Sequence, residues 1–155
     1  MRHEQIALQL YTVRSRTAED LPGTLRAVAA AGYRSVELAG MPTGAWPGLA
    51  AQLADNGLRP VASHEGIDGL RADPAAVADR LAAVGCPRVV VPWMPSADRA
   101  TVDDVRRFAA ELGVLSDFFA ERGFAFGYHN HDFEFAPLDG TTAWEVLVDD
   151  LSPAV

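Results

Sequence analysis

The sequence predicts an α/β fold: a partial (β/α)8 TIM barrel with about five of its eight βα units. Two observations predict it. A helical pattern, then a glycine, then a short apolar run recurs four times along the 155 residues. Unusual polar residues also gather where the apolar runs end. Repeated βα units imply a parallel sheet with right-handed crossovers. A doubly wound sheet concentrates its site at one switch point, whereas a barrel draws chemical groups from many strand ends. Polar residues at every strand end therefore favour the barrel.

The elements follow in order. A first strand is expected over Ile6–Tyr11. Asp20-Leu21-Pro22 opens a helix carrying Leu25, Val28 and Ala29, and Gly32 ends it. A strand over Ser35–Leu38 follows. Trp46–Asn56 places Leu49 and Leu53 one helical turn apart. Gly57 precedes a strand over Arg59–Ser63. Asp73-Pro74 is an N-cap followed by proline at the first helical position, and Val77, Leu81 and Val84 fall on one face before Gly85. A Val-rich strand, Arg88–Val91, is the kind buried in a parallel sheet. The longest helix runs from about Thr101 to Arg122, with Val105, Phe108, Ala109, Leu112, Leu115 and Phe119 in one core-facing stripe. Gly123 ends it, a fifth strand runs from Ala125 to about His131, and a helix follows near Thr142–Val148. No linker or low-complexity segment interrupts the pattern, so residues 1–155 are read as part of a single barrel domain.

Composition narrows the function. Hydrophobic residues make up 49% and charged residues 22%, as in an ordinary globular chain. The net charge of -8 disfavours binding to a phosphate backbone, which needs clustered Lys and Arg. No nucleic-acid partner is expected. No apolar run approaches a membrane span, and the stretch Met1–Gln5 lacks the apolar core of a signal peptide. One cysteine, Cys86, cannot form a disulfide within the chain, which suits a reducing cytoplasm. Cys86 is read as a small core filler. Dinucleotide, Walker and Gly-x-Ser-x-Gly signatures are missing from the sequence.

The polar strand ends supply the candidates. Gln9 and Tyr11 end the first strand and Glu37 the second. His64 and Glu65 follow the third, and Trp93 ends the fourth. Tyr128-His129-Asn130-His131-Asp132-Phe133-Glu134 ends the fifth. Side chains alternate along a strand, so His129 and His131 share a face. Two imidazoles with a carboxylate nearby suit a divalent metal; the alternative is a polar pocket lining without metal. Glu134 reaches the same centre only if the strand bends. Glu37 sits in an apolar strand and needs a partner or a pocket. Its structural alternative is an ion pair with Arg34 or Arg59. His64 beside Glu65 is a candidate proton carrier, with a hydrogen-bonded core histidine as the alternative. Trp93 can floor a sugar pocket through its apolar face, while Trp46 and Trp144 are expected to pack helices onto the sheet.

These residues carry a family resemblance. Leu8-Gln9-Leu10-Tyr11-Thr12-Val13-Arg14 resembles the first strand of sugar-phosphate isomerases/epimerases with xylose-isomerase-like barrels. Gly32-Tyr33 with Val36-Glu37-Leu38 resembles their second unit and Ser63-His64 the third. Gly127-Tyr128-His129-Asn130-His131-Asp132-Phe133-Glu134-Phe135 resembles the fifth and is the specific part. The likeness covers the whole chain.

The resemblance implies an eight-stranded barrel with a divalent metal (Mn, Mg, Co or Zn) at its mouth, held by residues of strands five to eight. Strand five of such proteins commonly offers a glutamate. Here His129 takes that place, and the nearest carboxylate is Glu134. The implied activity is a metal-dependent isomerase or epimerase acting on a small-molecule sugar or sugar phosphate, by proton transfer next to a polarised carbonyl. A keto-polyol dehydratase, a non-catalytic half-barrel and an abasic-site endonuclease are the alternatives. On this reading His64, Glu37 and Glu134 are catalytic. Gln9, Tyr11 and Trp93 bind substrate, and His129, His131 and Glu134 bind metal. Strands six to eight are expected beyond Val155, so the 155-residue chain alone is expected to be inactive and to self-associate through its open sheet edges.

Overall fold

A computed structural model describes residues 5–42 and 44–155. Met1–Glu4, part of the N-terminal stretch read above, lie outside them. Five strands form one sheet in the order β1 (Leu8–Gln9), β2 (Ser35–Leu38), β3 (Arg59–His64), β4 (Arg88–Val91) and β5 (Ala125–Tyr128). β1 pairs with β2, and β2 with β3, in parallel. The helices are α1 (Arg14–Glu19), α2 (Leu21–Ala30), α3 (Leu49–Asp55), α4 (Ile67–Ala72), α5 (Pro74–Ala83), α6 (Val102–Ala120) and α7 (Ala143–Asp150). A strand order that follows chain order, with helices between, is the arrangement of a barrel wall and not of a doubly wound sheet.

The junction signals act as their chemistry requires. Asp20 accepts the Gly23 N–H at 2.9 Å and so starts α2. Thr101 accepts the Asp104 N–H at 3.2 Å and starts α6. The four junction glycines, Gly32, Gly57, Gly85 and Gly123, have φ of +99°, +62°, +68° and +81°. A left-handed residue there satisfies the last carbonyls of a helix and turns the chain into the next strand, at no Cβ cost for glycine.

The residues fall into two compact units. One comprises Met1–His64 and Ala75–Arg88, the other Glu65–Pro74 and Val89–Val155. In the first, Val36, Leu38, Leu25, Leu49, Leu53 and Leu81 are buried. In the second, Val105, Phe108, Leu112 and Phe119 line the buried stripe of α6. Phe119 stacks on Phe126 of β5 with ring centroids 5.7 Å apart. Burying each such aromatic contributes about 1.5–3 kcal/mol. These stripes are the core faces read from the sequence.

Three differences have local causes. The first strand stops at Gln9, and Leu10–Val13 coil into a 3-10 turn, with Arg14 Nη1 donating to the Tyr11 carbonyl at 3.0 Å. The fifth strand stops at Tyr128. His129 N–H still reaches the Val91 carbonyl at 3.0 Å, but His131 N–H turns away to Glu134. A hairpin also appears, β6 (Pro137–Leu138) with β7 (Thr141–Thr142). Asp139 and Gly140 at its tip both have positive φ, +50° and +85°. That is the geometry Asp-Gly favours in a two-residue turn.

Candidate functional site

Register places the first cluster, all within the first unit. Gln9 pairs with Glu37 across β1 and β2, so both side chains lie on one face. The pairing of β2 with β3 shifts between Val36 and Glu37: Val36 opposes Pro60, but Glu37 opposes Ala62. The extra residue, Val61, is a bulge. Without it Glu37 would share its face with Val61 and Ser63. With it, Ala62 and the next residue but one, His64, stand on the Glu37 face. The bulge is therefore what brings His64 to Glu37.

The resulting contacts are short. Gln9 Nε2 donates to Glu37 Oε2 at 2.7 Å. His64 Nε2 lies 3.2 Å from Glu37 Oε1. The two side chains keep 11% (His64) and 23% (Glu37) of their surface exposed. A carboxylate drawn this far out of water is stabilised by the Gln9 amide donor at one oxygen and by the imidazole at ion-pair distance from the other. The pair can pass a proton between carboxylate and imidazole while Gln9 fixes the carboxylate plane. Tyr11, half-exposed, follows on the 3-10 turn with the Arg14 guanidinium 4.3 Å from its ring centre. A Cβ on Gly40 would come within 2.7 Å of the Tyr11 ring, so Gly40 lets the ring lie against the backbone.

The second cluster lies within the second unit, around the turn after β5. His129 and His131 are exposed, with ring centroids 5.1 Å apart and edge to face. His131 stacks on Phe133, 5.2 Å apart and 7° from parallel. Glu134 is fully buried. Its Oε1 accepts the Tyr128 hydroxyl in a short hydrogen bond, and its Oε2 accepts the His131 N–H at 2.7 Å. Burial and the Glu134 carboxylate push the Tyr128 phenol well above its ordinary range, against smaller opposing effects of the Met94 backbone and Arg99. Arg99 packs 4.1 Å over the Phe133 ring, and its Nε donates to the Met94 carbonyl at 3.2 Å. Trp93, in the same unit, is 46% exposed, open enough for a flat apolar ring face to meet a ligand.

Glu134, read with Glu37 and His64 as a catalytic group, is bonded instead to Tyr128 and the His131 N–H. Gln9, Glu37 and His64 come together, and so do His129, His131 and Glu134. The Tyr128–Glu134 bond was missed, although a phenol six residues before a buried carboxylate is a visible pairing signal. Arg99 was missed as well, for a cation in a loop announces no partner. Arg71 bridges Glu111, at 2.8 and 2.7 Å, and Asp98, at 2.9 Å, which ties α4 to α6 and to the turn bearing Arg99. Its guanidinium pKa is raised, first by the Glu111 hydrogen bond.

Among the described residues no group of three or more His, Cys, Asp or Glu side chains is arranged to hold a metal ion. His129 and His131 offer two nitrogens, and both oxygens of Glu134 already accept hydrogen bonds. The described residues do not by themselves fit a metal ion.

No family model matches this sequence, and no curated protein matches it. Solved structures do. A sugar phosphate isomerase/epimerase from Parabacteroides distasonis superposes with a TM-score of 0.80 at 23% identity, over 96% of this chain and 62% of that one. A xylose isomerase domain containing protein from Salmonella typhimurium gives 0.69 at 13% identity, over 99% and 59%. The IolI protein, solved with a bound zinc atom, gives 0.62 at 13% identity, over 80% and 50%. These are xylose-isomerase-like TIM barrels, and this chain has their fold over the part it spans. It spans about 60% of the length of the first two neighbours. Among the described residues no helix is long and apolar enough to cross a membrane.

Proposed function

We propose that this chain is the N-terminal portion of a single sugar isomerase or epimerase barrel domain, in which Glu37 and His64 move the proton next to a substrate carbonyl. The observation that carries this is the Gln9–Glu37–His64 cluster, built by register and bulge at the end of the strands. Barrel enzymes place their chemistry at that end. The substrate is a small sugar or sugar phosphate. The names of two neighbouring structures support that class. An AP endonuclease, family 2, from Brucella melitensis shares the fold at 16% identity and a TM-score of 0.61, but the net charge of -8 disfavours a nucleic acid.

The steps use this chain's own residues. The carboxylate of Glu37, oriented by Gln9, accepts the proton from the carbon next to the carbonyl. His64 donates a proton at the developing enediolate oxygen and takes one back as the carbonyl reforms. Return of the carbon-bound proton to the opposite face inverts that centre, and return to the neighbouring carbon moves the carbonyl. Tyr11, in the same unit as the cluster, offers a ring face to the sugar. A divalent ion, when bound, would supply Lewis acidity. His129 and His131 are this chain's candidate donors to it, and the remaining ligands would come from outside the described residues. Buried Cys86 suits a cytoplasmic setting. The edge strands β1 and β5 suit self-association, which light scattering would detect.

The test is deuterium incorporation next to the carbonyl of candidate keto-sugars, followed by NMR, for the 155-residue chain and for the chain extended through eight strands. Exchange by the extended protein that Glu37→Gln and His64→Gln each abolish supports the proposal. Undiminished exchange in Glu37→Gln defeats it. Loss of a substrate hydroxyl instead of exchange alone would identify a dehydratase.

A further inference from the structure

We propose that Glu134 is a positioning residue: it clamps the turn 129–133 between Tyr128 and the His131 backbone, and thereby sets the two imidazoles of the proposed site. The inference deepens the reading above and rests on it only for the role of those imidazoles. It gives Glu134 a different task from the proton transfer or metal ligation suggested by its carboxylate and its place in the chain.

The geometry points this way on three counts. Glu134 has no exposed surface, while His129 and His131 are exposed. Its two oxygens are divided between two donors, the Tyr128 hydroxyl and the His131 N–H. Those donors lie on either side of His129, one at the last residue of β5 and one two residues beyond the strand's last ladder bond. Holding both ends fixes the path of the chain through His129 and Asn130. The stack of His131 on Phe133, with Arg99 over Phe133, then holds the imidazole plane. Tyr128 is itself fixed edge-on by Phe108 of α6, with ring centroids 6.0 Å apart. The clamp is thereby anchored to the longest helix.

A positioning role and a chemical role answer differently to Glu134→Gln. A glutamine can keep the clamp. Its carbonyl accepts the His131 N–H, and its amide donates to the Tyr128 oxygen, because a phenol is both donor and acceptor. The same glutamine cannot carry a proton or serve as an anionic ligand. Alanine keeps nothing.

The experiment is amide hydrogen exchange by NMR on the 155-residue chain, with α6 amides as the internal check of folding. In Glu134→Ala the His131 amide should lose about tenfold or more of its protection, the worth of a hydrogen bond to a charged group. In Glu134→Gln it should stay within about threefold of the parent. Tyr128→Phe should cut protection by an amount between the two, and it serves in place of the alanine variant if that one fails to fold. A titration with zinc alone tests the competing role. Unchanged zinc affinity in Glu134→Gln supports the clamp. A His131 amide equally unprotected in the parent and in Glu134→Ala or Tyr128→Phe overturns it. So does a loss of zinc affinity in Glu134→Gln with His131 still protected. Neither readout depends on isomerase turnover, so the clamp and the proposed reaction can fail separately.

Discussion

Glu37 lies in β2 and Glu134 in the turn after β5, and each carboxylate has a polar group at both of its oxygens. Glu37 is assembled across three strands, from residues 28 and 27 positions away in sequence, and keeps 23% of its side chain in solvent. Glu134 is assembled within seven residues and keeps none. One carboxylate depends on the fold for its partners and meets solvent. The other takes its partners from its own loop and is closed off. The comparison teaches that hydrogen bonding alone does not mark a chemical group. On the proposed reading, access to a ligand separates a residue that reacts from one that holds its neighbours in place.

The largest expected effect breaks the comparison at the open end. Glu37→Gln should reduce proton exchange by the extended barrel about 10²–10⁴-fold, the usual contribution of a positioned base. Its unfolding free energy should move by no more than about 1 kcal/mol, because the group is partly solvated and the amide can still bond Gln9. Denaturant melts beside the exchange assay check both. A variant that unfolds readily would place Glu37 with Glu134 as a scaffold.

At the closed end the ranking reverses. Glu134→Ala leaves a half-buried phenol and a backbone N–H without acceptors, and should cost about 3 kcal/mol of stability by urea denaturation. Tyr128→Phe should cost about 1–2 kcal/mol. The equivalent loss from Gln9→Ala, in the half-open cluster, should stay below about 1 kcal/mol. Equal costs at Gln9 and Tyr128 would erase the distinction.

Alkaline pH probes the same closed site without mutation. The folded-state pKa of Tyr128 is raised, by burial first and Glu134 second, so the fold prefers the neutral phenol. Its contribution is fully present below the ordinary tyrosine value of about 10 and is lost as pH rises from there through the folded value. Thermal melts from pH 8 to 11 should show this extra decline, about 1 kcal/mol for each unit of pH above 10. Tyr128→Phe should remove it, while Tyr11→Phe, at an exposed ring, should not.

Much of this was legible in the sequence, and the physics explains which parts. Glycine junctions, the helix start at Asp20, and the stripe from Val105 to Phe119 are local signals, and each reappears at its expected place. The members of the Gln9–Glu37–His64 cluster were legible as strand-end polar residues. Their union was not, because it depends on a bulge at Val61 that no residue type announces. The fifth strand was read three residues too long, since alternation predicts faces but not the diversion of the His131 N–H to Glu134. The short helices α1 and α4 carry no strong periodicity. The β6–β7 hairpin was a missed signal of the plainest kind, Asp139-Gly140 between short extended pairs.

A third carboxylate, Glu145, sharpens the comparison by separating hydrogen bonding from burial. It closes a capping box on α7. Glu145 Oε2 accepts from the Thr142 N–H at 3.0 Å and from the Thr141 hydroxyl at 2.8 Å, and the Thr142 hydroxyl accepts the Glu145 N–H at 3.1 Å. It is as well bonded as Glu134, yet it stands in water. Its pKa is lowered, first by the Thr141 hydroxyl and then by Thr142. The folded state thus favours the ionised form. That stability is present above the ordinary glutamate value of about 4.3 and is lost as pH falls through the folded value. Thr142→Ala should cost about 1 kcal/mol at neutral pH, as for other N-caps, and should flatten the acid limb of the stability profile. Fraying of α7 by amide exchange, compared at pH 7 and pH 3, is the measurement. If burial is what commits Glu134 to its loop, α7 should fray a little on protonation of Glu145 and the rest of the second unit should stay intact. If acid acting on this exposed box instead melts the unit as Glu134→Ala does, hydrogen-bond count and not access is the governing variable, and Glu37 must be reconsidered with it.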